Sequence, residues 1–238
     1  AAPPRAPKCP NGKSCDGTCV VVICGCWRTE FSFEASAADR RRGVVCEGGM
    51  SDTDEDDGSL TSSLDVPSGV PGLEGVRYLH NLFPEEFLEE LDEIRDGLTG
   101  SMASSNMYAN RRFLRSNELA RKVLSYLPKE LGYTHVLSDM RFIEYPPGGH
   151  ILPHVDGVRR DEETSGAEST TSFLLFTEEI PEGEGGETEF LESVDDDAKV
   201  LFGARPNRGS ILLFPHGSPH RGNCVGCWPK VLLRGDLY

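Results

Sequence analysis

With 238 residues and a formal net charge of −15, the chain has room for one sizeable domain plus an extension, or for two small domains. The charge is uneven: residues 1–49 carry +2 and residues 50–238 carry −17, so the body of the chain repels phosphate backbones and excludes long nucleic acid as a default partner. The apolar share of 37% is ordinary, no stretch reaches the apolar length of a membrane span, and "CVVVICGCW" near the start lacks the basic lead-in and small-residue exit of a secretory signal.

The first part of the chain does not read as a packed unit. "AAPPRAPKCPNGKSCDGTC" is rich in Pro, Gly and small residues, and "MSDTDEDDGSLTSSLDVPSGVPG" is acidic and Ser-rich; such compositions bury too little apolar area to offset chain entropy. Residues 1–74 are therefore expected to be a disordered extension, Cys-rich and then acidic, with the folded domain spanning residues 75–238. Six of the eight cysteines fall in this extension (Cys9, Cys15, Cys19, Cys24, Cys26 and Cys46), at spacings that match no regular paired Cys-x-x-Cys zinc pattern. The other two are Cys224 and Cys227, and no cysteine lies between residues 47 and 223. A secreted disulfide framework would spread its bridges through the folded part, so a reducing, cytoplasmic setting is expected.

Order is expected to begin at "GVRYLHNLF", a short strand-like run. The segment "PEEFLEELDEIRDGL" follows, with Pro84 at a first helical position, acids in the first turn, and Phe87, Leu88, Leu91, Ile94 and Leu98 on one stripe. A second amphipathic helix is expected over residues 117–131, capped by Ser116 or Asn117 and burying Leu119, Val123, Leu124 and Leu127, with Leu127-Pro128 bending or ending it. From residue 136 the pattern changes to short strands divided by Gly, Pro and acidic turns: "VLSDMRFIEY", "HILPHVD", "TTSFLLFTEE", "GETEFLE", "KVLFGARP", "GSILLFPH" and "PKVLLRGDLY". Short strands with frequent turn signals argue for a sandwich or jelly roll. Helices that precede them suggest an α+β arrangement in which the helices buttress one face of the β-core.

The densest chemistry lies in "PHGSPHRGNCVGCWPK", where His216, His220, Cys224 and Cys227 are spaced four, four and three apart. Mixed sets of this kind can build a closed zinc site. The alternative is that one of these histidines is a ligand with distant partners. In "HILPHVDG" His154 and Asp156 lie two apart, on one face of a strand. Two histidines and one carboxylate form the facial triad of non-haem Fe(II) oxygenases.

The segments "EYPPGGHILPHVD", "EGGETEF" and "HRGNCVGCWPKVLLRGDLY", in that order, resemble the prolyl 4-hydroxylase-like branch of the 2-oxoglutarate and Fe(II)-dependent dioxygenases over residues 75–238. The resemblance implies a double-stranded β-helix, a jelly-roll variant, with supporting N-terminal helices. It implies His154, Asp156 and His220 as iron ligands, and Lys230, ten residues after His220, as the cation that meets the distal carboxylate of 2-oxoglutarate. Tyr145 matches the family tyrosine that hydrogen-bonds the same carboxylate. The implied activity is hydroxylation of a substrate C–H bond coupled to decarboxylation of 2-oxoglutarate to succinate, with a prolyl residue in a protein as the family-weighted target and ascorbate as a candidate further cofactor. No catalytic residue beyond the metal ligands is implied.

His216, fourteen residues before Lys230 and flanked by Pro215 and Gly217, reads as a turn residue. Arg234, on the same face of the last strand as Lys230, is the reserve candidate for the distal carboxylate, or else an ion-pair partner of Asp236. Glu187 and Thr188 of the GGET turn read as structural, with Gly185 and Gly186 supplying the positive φ of a tight bend. A protein or peptide substrate is expected ahead of a small molecule, and the acidic loop over residues 156–169 leans toward a neutral or basic peptide. Two rivals stand beside this reading: a non-catalytic cupin-like metal-binding protein, and a zinc-binding interaction module built from His216, His220, Cys224 and Cys227.

Overall fold

The computed structural model describes residues 66–103, 106–160 and 166–238. The expectations for residues 1–65, including those for the six N-proximal cysteines, fall outside them. In chain order the elements are β1 (Arg77–Leu79), α1 (Glu85–Asp96), β2 (Ser101–Ala103), β3 (Met107–Arg115), α2 (Asn117–Tyr126), a 3-10 turn (Lys129–Leu131), β4 (Asp139–Tyr145), β5 (His150–His154), β6 (Thr171–Phe176), β7 (Thr188–Leu191), β8 (Val200–Ala204), β9 (Ile211–Pro215), β10 (His220–Gly222) and β11 (Lys230–Leu237). Among the described residues, no helix is long and apolar enough to cross a membrane.

Neighbouring strands follow the order β1-β9-β6-β11-β4-β3-β5-β10-β7-β8, with β2 paired to β3, and the pairings are antiparallel throughout. β3 joins the two halves: Asn110 to Arg115 pair with β4, whereas Met107 and Tyr108 pair with β5. The larger sheet, β1-β9-β6-β11-β4-β3, thus continues into the smaller one, β5-β10-β7-β8. This is the jelly-roll, double-stranded β-helix arrangement expected from the strand pattern.

The larger sheet is buried on both faces, which is why β6 and β9 read as unbroken apolar runs. On one face Met140, Phe142, Phe173, Leu175, Ile211, Leu213 and Leu233 pack with Phe87, Leu88 and Leu91 of α1 and Leu119, Ala120 and Val123 of α2. On the other, Ile143, Tyr145, Leu174, Phe176, Leu212, Phe214 and Leu232 meet Phe190 and Ala204 of the smaller sheet. Residues i and i+1 of each strand point to opposite layers, so each core strand feeds two apolar clusters at once. The helices therefore brace one side of the sheet and leave the inner side to build the site.

Both helices start close to where expected. Pro84 takes the N-cap of α1 with extended backbone, one position outside the helix, and Glu85 and Glu86 occupy the first turn, where the helix dipole favours acids. Ser116 caps α2, accepting a hydrogen bond from the Leu119 N–H at 3.1 Å. α2 stops at Tyr126, five residues short of the expected end, because Pro128 forces Leu127 to extended backbone (ψ 137°). Packing also starts before Gly75, where composition placed it: Leu73 is buried, and Val66 and Val70 pack against the inner cluster.

Candidate active site

β5 ends at His154 and β10 begins at His220, and the two residues are direct cross-strand partners. Their rings lie 4.3 Å apart between centroids. Asp156, two residues past His154, is held at this level because its N–H donates to the His216 carbonyl at 2.9 Å. His154, Asp156 and His220 offer three ligand atoms that lie within 4.8 Å of one another, the one such His/Cys/Asp/Glu group among the described residues. His154 Nε2 is 3.8 Å from Asp156 Oδ1.

Each imidazole is oriented from behind. His154 Nδ1 lies 2.8 Å from the Leu152 carbonyl and His220 Nδ1 lies 2.9 Å from the Ser218 carbonyl. A carbonyl accepts, so Nδ1 carries the proton in both rings and Nε2 presents a lone pair. The His220 ring is buried, with Phe214 at 4.6 Å and Phe190 at 6.1 Å between centroids. Burial, with the neighbouring His154, pushes its pKa down to about 4, so it is a neutral donor at physiological pH.

Asp156 is the anionic member. Burial alone would raise its pKa, but Arg234, His220 and the Ser172 hydroxyl together hold it well below the usual carboxylate range. Oδ2 accepts from Ser172 Oγ and from Arg234 Nη2 at 3.0 Å, which leaves Oδ1 facing the histidines. Arg234 also reaches Asp236 at 3.2 Å. Arg234 is thus an ion-pair residue that ties Asp156 to Asp236. The pairing with Asp236 was one of its two expected roles, whereas the contact with Asp156 was not anticipated.

His216 sits in the turn after β9 but is buried and fully engaged. Its Nδ1 lies 2.9 Å from Ser172 Oγ and its Nε2 lies 2.8 Å from Ser169 Oγ. Ser172 spends its proton on Asp156, so His216 donates from Nδ1 and accepts at Nε2. With both nitrogens occupied it contributes no ligand atom. The zinc module of His216, His220, Cys224 and Cys227 is accordingly not assembled: His216 faces the serines, while His220 joins His154 and Asp156. The backbone of the Cys224–Cys227 loop docks on the GGET turn instead, with the Gly186 N–H donating to the Cys224 carbonyl at 3.2 Å and the Cys227 N–H to Glu184 Oε2 at 3.0 Å.

Lys230 opens β11 directly across from Tyr145 at the end of β4. It is buried, and Nζ donates to Thr188 Oγ1 at 2.9 Å while lying 5.5 Å from the Tyr145 ring centroid and 5.7 Å from that of Phe176. Burial lowers its pKa to about 7, against the opposing charge of Glu187. Tyr145 is buried too, and its phenol is shifted upward by desolvation. An ammonium carries three donors and the protein accepts one of them, so a carboxylate suits this end of the cavity. Thr188, read from the sequence as a turn residue, is therefore part of the site.

One cavity connects these groups. His154, Asp156 and His220 line it together with Lys230, Thr188 and Tyr145, and its walls include Ile143, Ile151, Leu174 and Leu232. Arg141, which motif reading did not single out, also lines it. Burial and the nearby Arg234 lower the Arg141 pKa to about 10. The donor set of two imidazoles and one carboxylate fits a divalent iron. The buried ammonium fits the distal end of a dicarboxylic keto acid.

Comparison with known proteins agrees with this geometry. A family model of the 2OG-Fe(II) oxygenase superfamily matches residues 140–235. A Pseudomonas putida prolyl-4-hydroxylase superposes with a TM-score of 0.51 at 16% identity, covering 68% of this chain and 91% of that one. A Trichoplax adhaerens prolyl hydroxylase, solved with a hypoxia inducible factor oxygen degradation domain peptide fragment, superposes with a TM-score of 0.50 at 16% identity, covering 69% and 85%. SnoK, a non-heme alpha ketoglutarate dependent carbocyclase from nogalamycin biosynthesis, reaches 0.52 at 10% identity, covering 76% and 87%. No curated protein matches the chain.

Proposed function

We propose that the chain is a member of the 2OG-Fe(II) oxygenase superfamily, whose family model matches residues 140–235, and that it hydroxylates a prolyl residue in a peptide, with His154, Asp156 and His220 holding the iron and Lys230 the co-substrate. The observation that carries this reading is the convergence of those four side chains on one cavity. The reaction balances as substrate C–H, dioxygen and 2-oxoglutarate giving substrate C–OH, succinate and carbon dioxide. In this reading the catalytic domain spans residues 75–238 together with the packed residues 66–74 ahead of it.

Iron and 2-oxoglutarate, when bound, supply the activation of dioxygen and the oxidising equivalents. The chain's own residues position, neutralise and exclude. His154 and His220 present Nε2 because their Nδ1 protons are held by backbone carbonyls. Asp156 is kept anionic and aimed by Arg234 and Ser172. Lys230, Thr188 and Tyr145 form the distal pocket for the keto acid, and the aliphatic walls keep water from the reacting centre. No residue is needed as a general acid or base. The prolyl hydroxylase neighbours and the motif order around His154 and Lys230 support a peptide substrate.

The test is iron-dependent release of succinate from 2-oxoglutarate in the presence of proline-containing peptides, with mass spectrometry of the peptide. Stimulated succinate release with gain of one oxygen atom on proline is expected. Iron-dependent succinate release that no proline peptide stimulates would remove the prolyl assignment. Absence of any iron-dependent 2-oxoglutarate turnover would favour the cupin-like alternative.

A further inference from the structure

Arg111 and Arg141 differ from the other described arginines. Most of those meet a carboxylate within 4.0 Å, and Arg77 and Arg121 donate to backbone carbonyls. Arg111 and Arg141 do neither, and each has a buried Nε with no hydrogen-bond partner. Asp236 and Asp156 act on Arg141 only through space, without a hydrogen bond, so in a chain whose net charge is −15 these two guanidinium groups on one sheet face call for a physical reason. Withdrawing such a group from water costs free energy unless an anion offsets it.

Register places both on the inner face of the larger sheet. Arg111 is opposite Ile143, and Arg141 is opposite Phe113 on one side and Arg234 on the other. They are diagonal neighbours, a spacing within reach of long side chains. Arg141 lines the cavity beside Asp156. Arg111 lies over the Phe113 ring at 5.7 Å, and that ring is 58% exposed, so the pair runs from the cavity wall to an open aromatic surface.

The distal carboxylate of the keto acid is not the anion for this wall. Arg141 and Arg234 each lie four residues from the Tyr145–Lys230 pair, about 13 Å along the strands, at the level where Arg234 meets Asp156. A five-carbon diacid whose distal carboxylate meets Lys230 would commit its other carboxylate to the metal, which leaves the Arg111 and Arg141 donors for a second anion. An anion at Arg141 must come with the substrate. Among the described residues that follow Asp156, Glu168 is paired with Arg160 at 2.7 Å.

We infer that Arg111 and Arg141 form a carboxylate-binding subsite for the substrate, so that the residue to be hydroxylated is flanked by an aspartate or glutamate. This rests on the hydroxylase reading above and reverses the neutral or basic preference suggested by the acidic loop. A carboxylate takes parallel N–H donors from a guanidinium, which gives it geometric as well as electrostatic preference over other groups.

The experiment uses the full chain with Mn(II) in place of iron and saturating 2-oxoglutarate, titrated with short proline peptides flanked by glutamate, glutamine or lysine. A second set carries alanine in place of proline. The glutamate peptide is expected to bind about tenfold or more tighter than its glutamine counterpart, the worth of one charge-assisted hydrogen bond. That preference should shrink at least severalfold in Arg141→Gln and in Arg111→Gln, each tested singly so that the result does not depend on a double variant folding. No tighter binding of the glutamate peptide, absence of binding by every peptide, or an undiminished preference in both variants overturns the inference. Weakened 2-oxoglutarate binding in Arg141→Gln also overturns it, by assigning the arginine to the keto acid. A charge preference that persists with alanine in place of proline, without proline hydroxylation, keeps the subsite and removes the prolyl reading. Hydroxylation of all three proline peptides with equal affinity does the opposite.

Discussion

Arg234 meets Asp156 at 3.0 Å and Asp236 at 3.2 Å, so a single guanidinium grips the candidate ligand carboxylate by the oxygen that the histidines do not face. The strand that carries Lys230 therefore also sets the geometry of the candidate metal site. Replacing Arg234 by Met removes the cation that bridges the two buried carboxylates and leaves Asp236 with Arg159 at 3.6 Å. Metal affinity is expected to fall about 10–100-fold, the usual effect of removing the partner that orients a ligand. Lysine at this position should recover part of the loss, because one ammonium cannot fork to both acids. Titration with Mn(II) checks this, and unchanged affinity in Arg234→Met would show that Asp156 is oriented by Ser172 alone.

His154→Ala, Asp156→Ala and His220→Ala are each expected to abolish iron-dependent turnover, since each removes one of the three candidate ligand atoms. His216→Ala should retain metal binding and instead lower stability by about 1–3 kcal/mol, because Ser169 and Ser172 lose a buried hydrogen-bond partner. Chemical denaturation and metal titration on the same preparations separate the two effects. Equal loss of metal by His216 and His220 variants would overturn the ligand assignment.

Lys230→Ala should leave metal affinity nearly intact and raise the apparent KM for 2-oxoglutarate about thirtyfold to several thousandfold, the cost of a charge-assisted bond lost from a desolvated pocket. Thr188→Val, which removes the one acceptor on the ammonium, should act in the same direction but more weakly. A Lys230→Ala titration that matches the wild type would end the co-substrate assignment.

The depressed pKa of Lys230, about 7, carries a pH signature. An unfolded lysine titrates near 10.4, so between about pH 7 and 10 the unfolded chain holds a proton that the folded chain has released, and stability rises with pH through that window. A carboxylate docked on Nζ reverses the bias and draws the proton back. Binding of 2-oxoglutarate at about pH 8 to 9 is expected to take up close to one proton and to weaken as pH rises. Calorimetry in two buffers of different ionisation enthalpy measures that uptake. It should vanish in Lys230→Arg, whose guanidinium stays charged, and buffer-independent binding by the wild type would argue against a neutral lysine in the free protein.

Gly185 has φ +75°, and a Cβ there would strike the Cys224 carbonyl oxygen. Gly185→Ala is expected to cost about 1–3 kcal/mol from the backbone conformation alone, and to loosen the loop that delivers Lys230. Thermal denaturation should show the loss of stability, and 2-oxoglutarate affinity should fall with it. Gly217→Ala is the control, since a Cβ there has nothing within 4 Å.

The candidate ligands were legible because ligation demands particular side chains at fixed spacing: His154 and Asp156 share a strand face, and His220 and Lys230 keep their separation whatever loop lies between them. The strands after residue 136 were legible as apolar runs between turn signals. β3 was not, because "MYANRRFLR" puts Arg111 and Phe113 on the inner face while Arg112 pairs with Glu144 on the other, so neither face reads as apolar. β10 is three residues long, too short for any periodicity, and exists because β5 and β7 flank it. Arg141 and Thr188 escaped notice for a related reason. What makes them part of the site is register against β11 and β3 or contact with Lys230, and long-range pairing leaves no local mark.

β11 lies between β4 and β6, and all eight of its residues are buried. Each of its neighbours is made earlier on the ribosome, so a nascent chain halted before Lys230 holds a sheet divided down the middle, with two long apolar edges open to water. Such edges recruit other chains. Expression of this domain should accordingly depend on steady completion of its last strand, and slow codons just upstream of it would favour aggregates over folded protein.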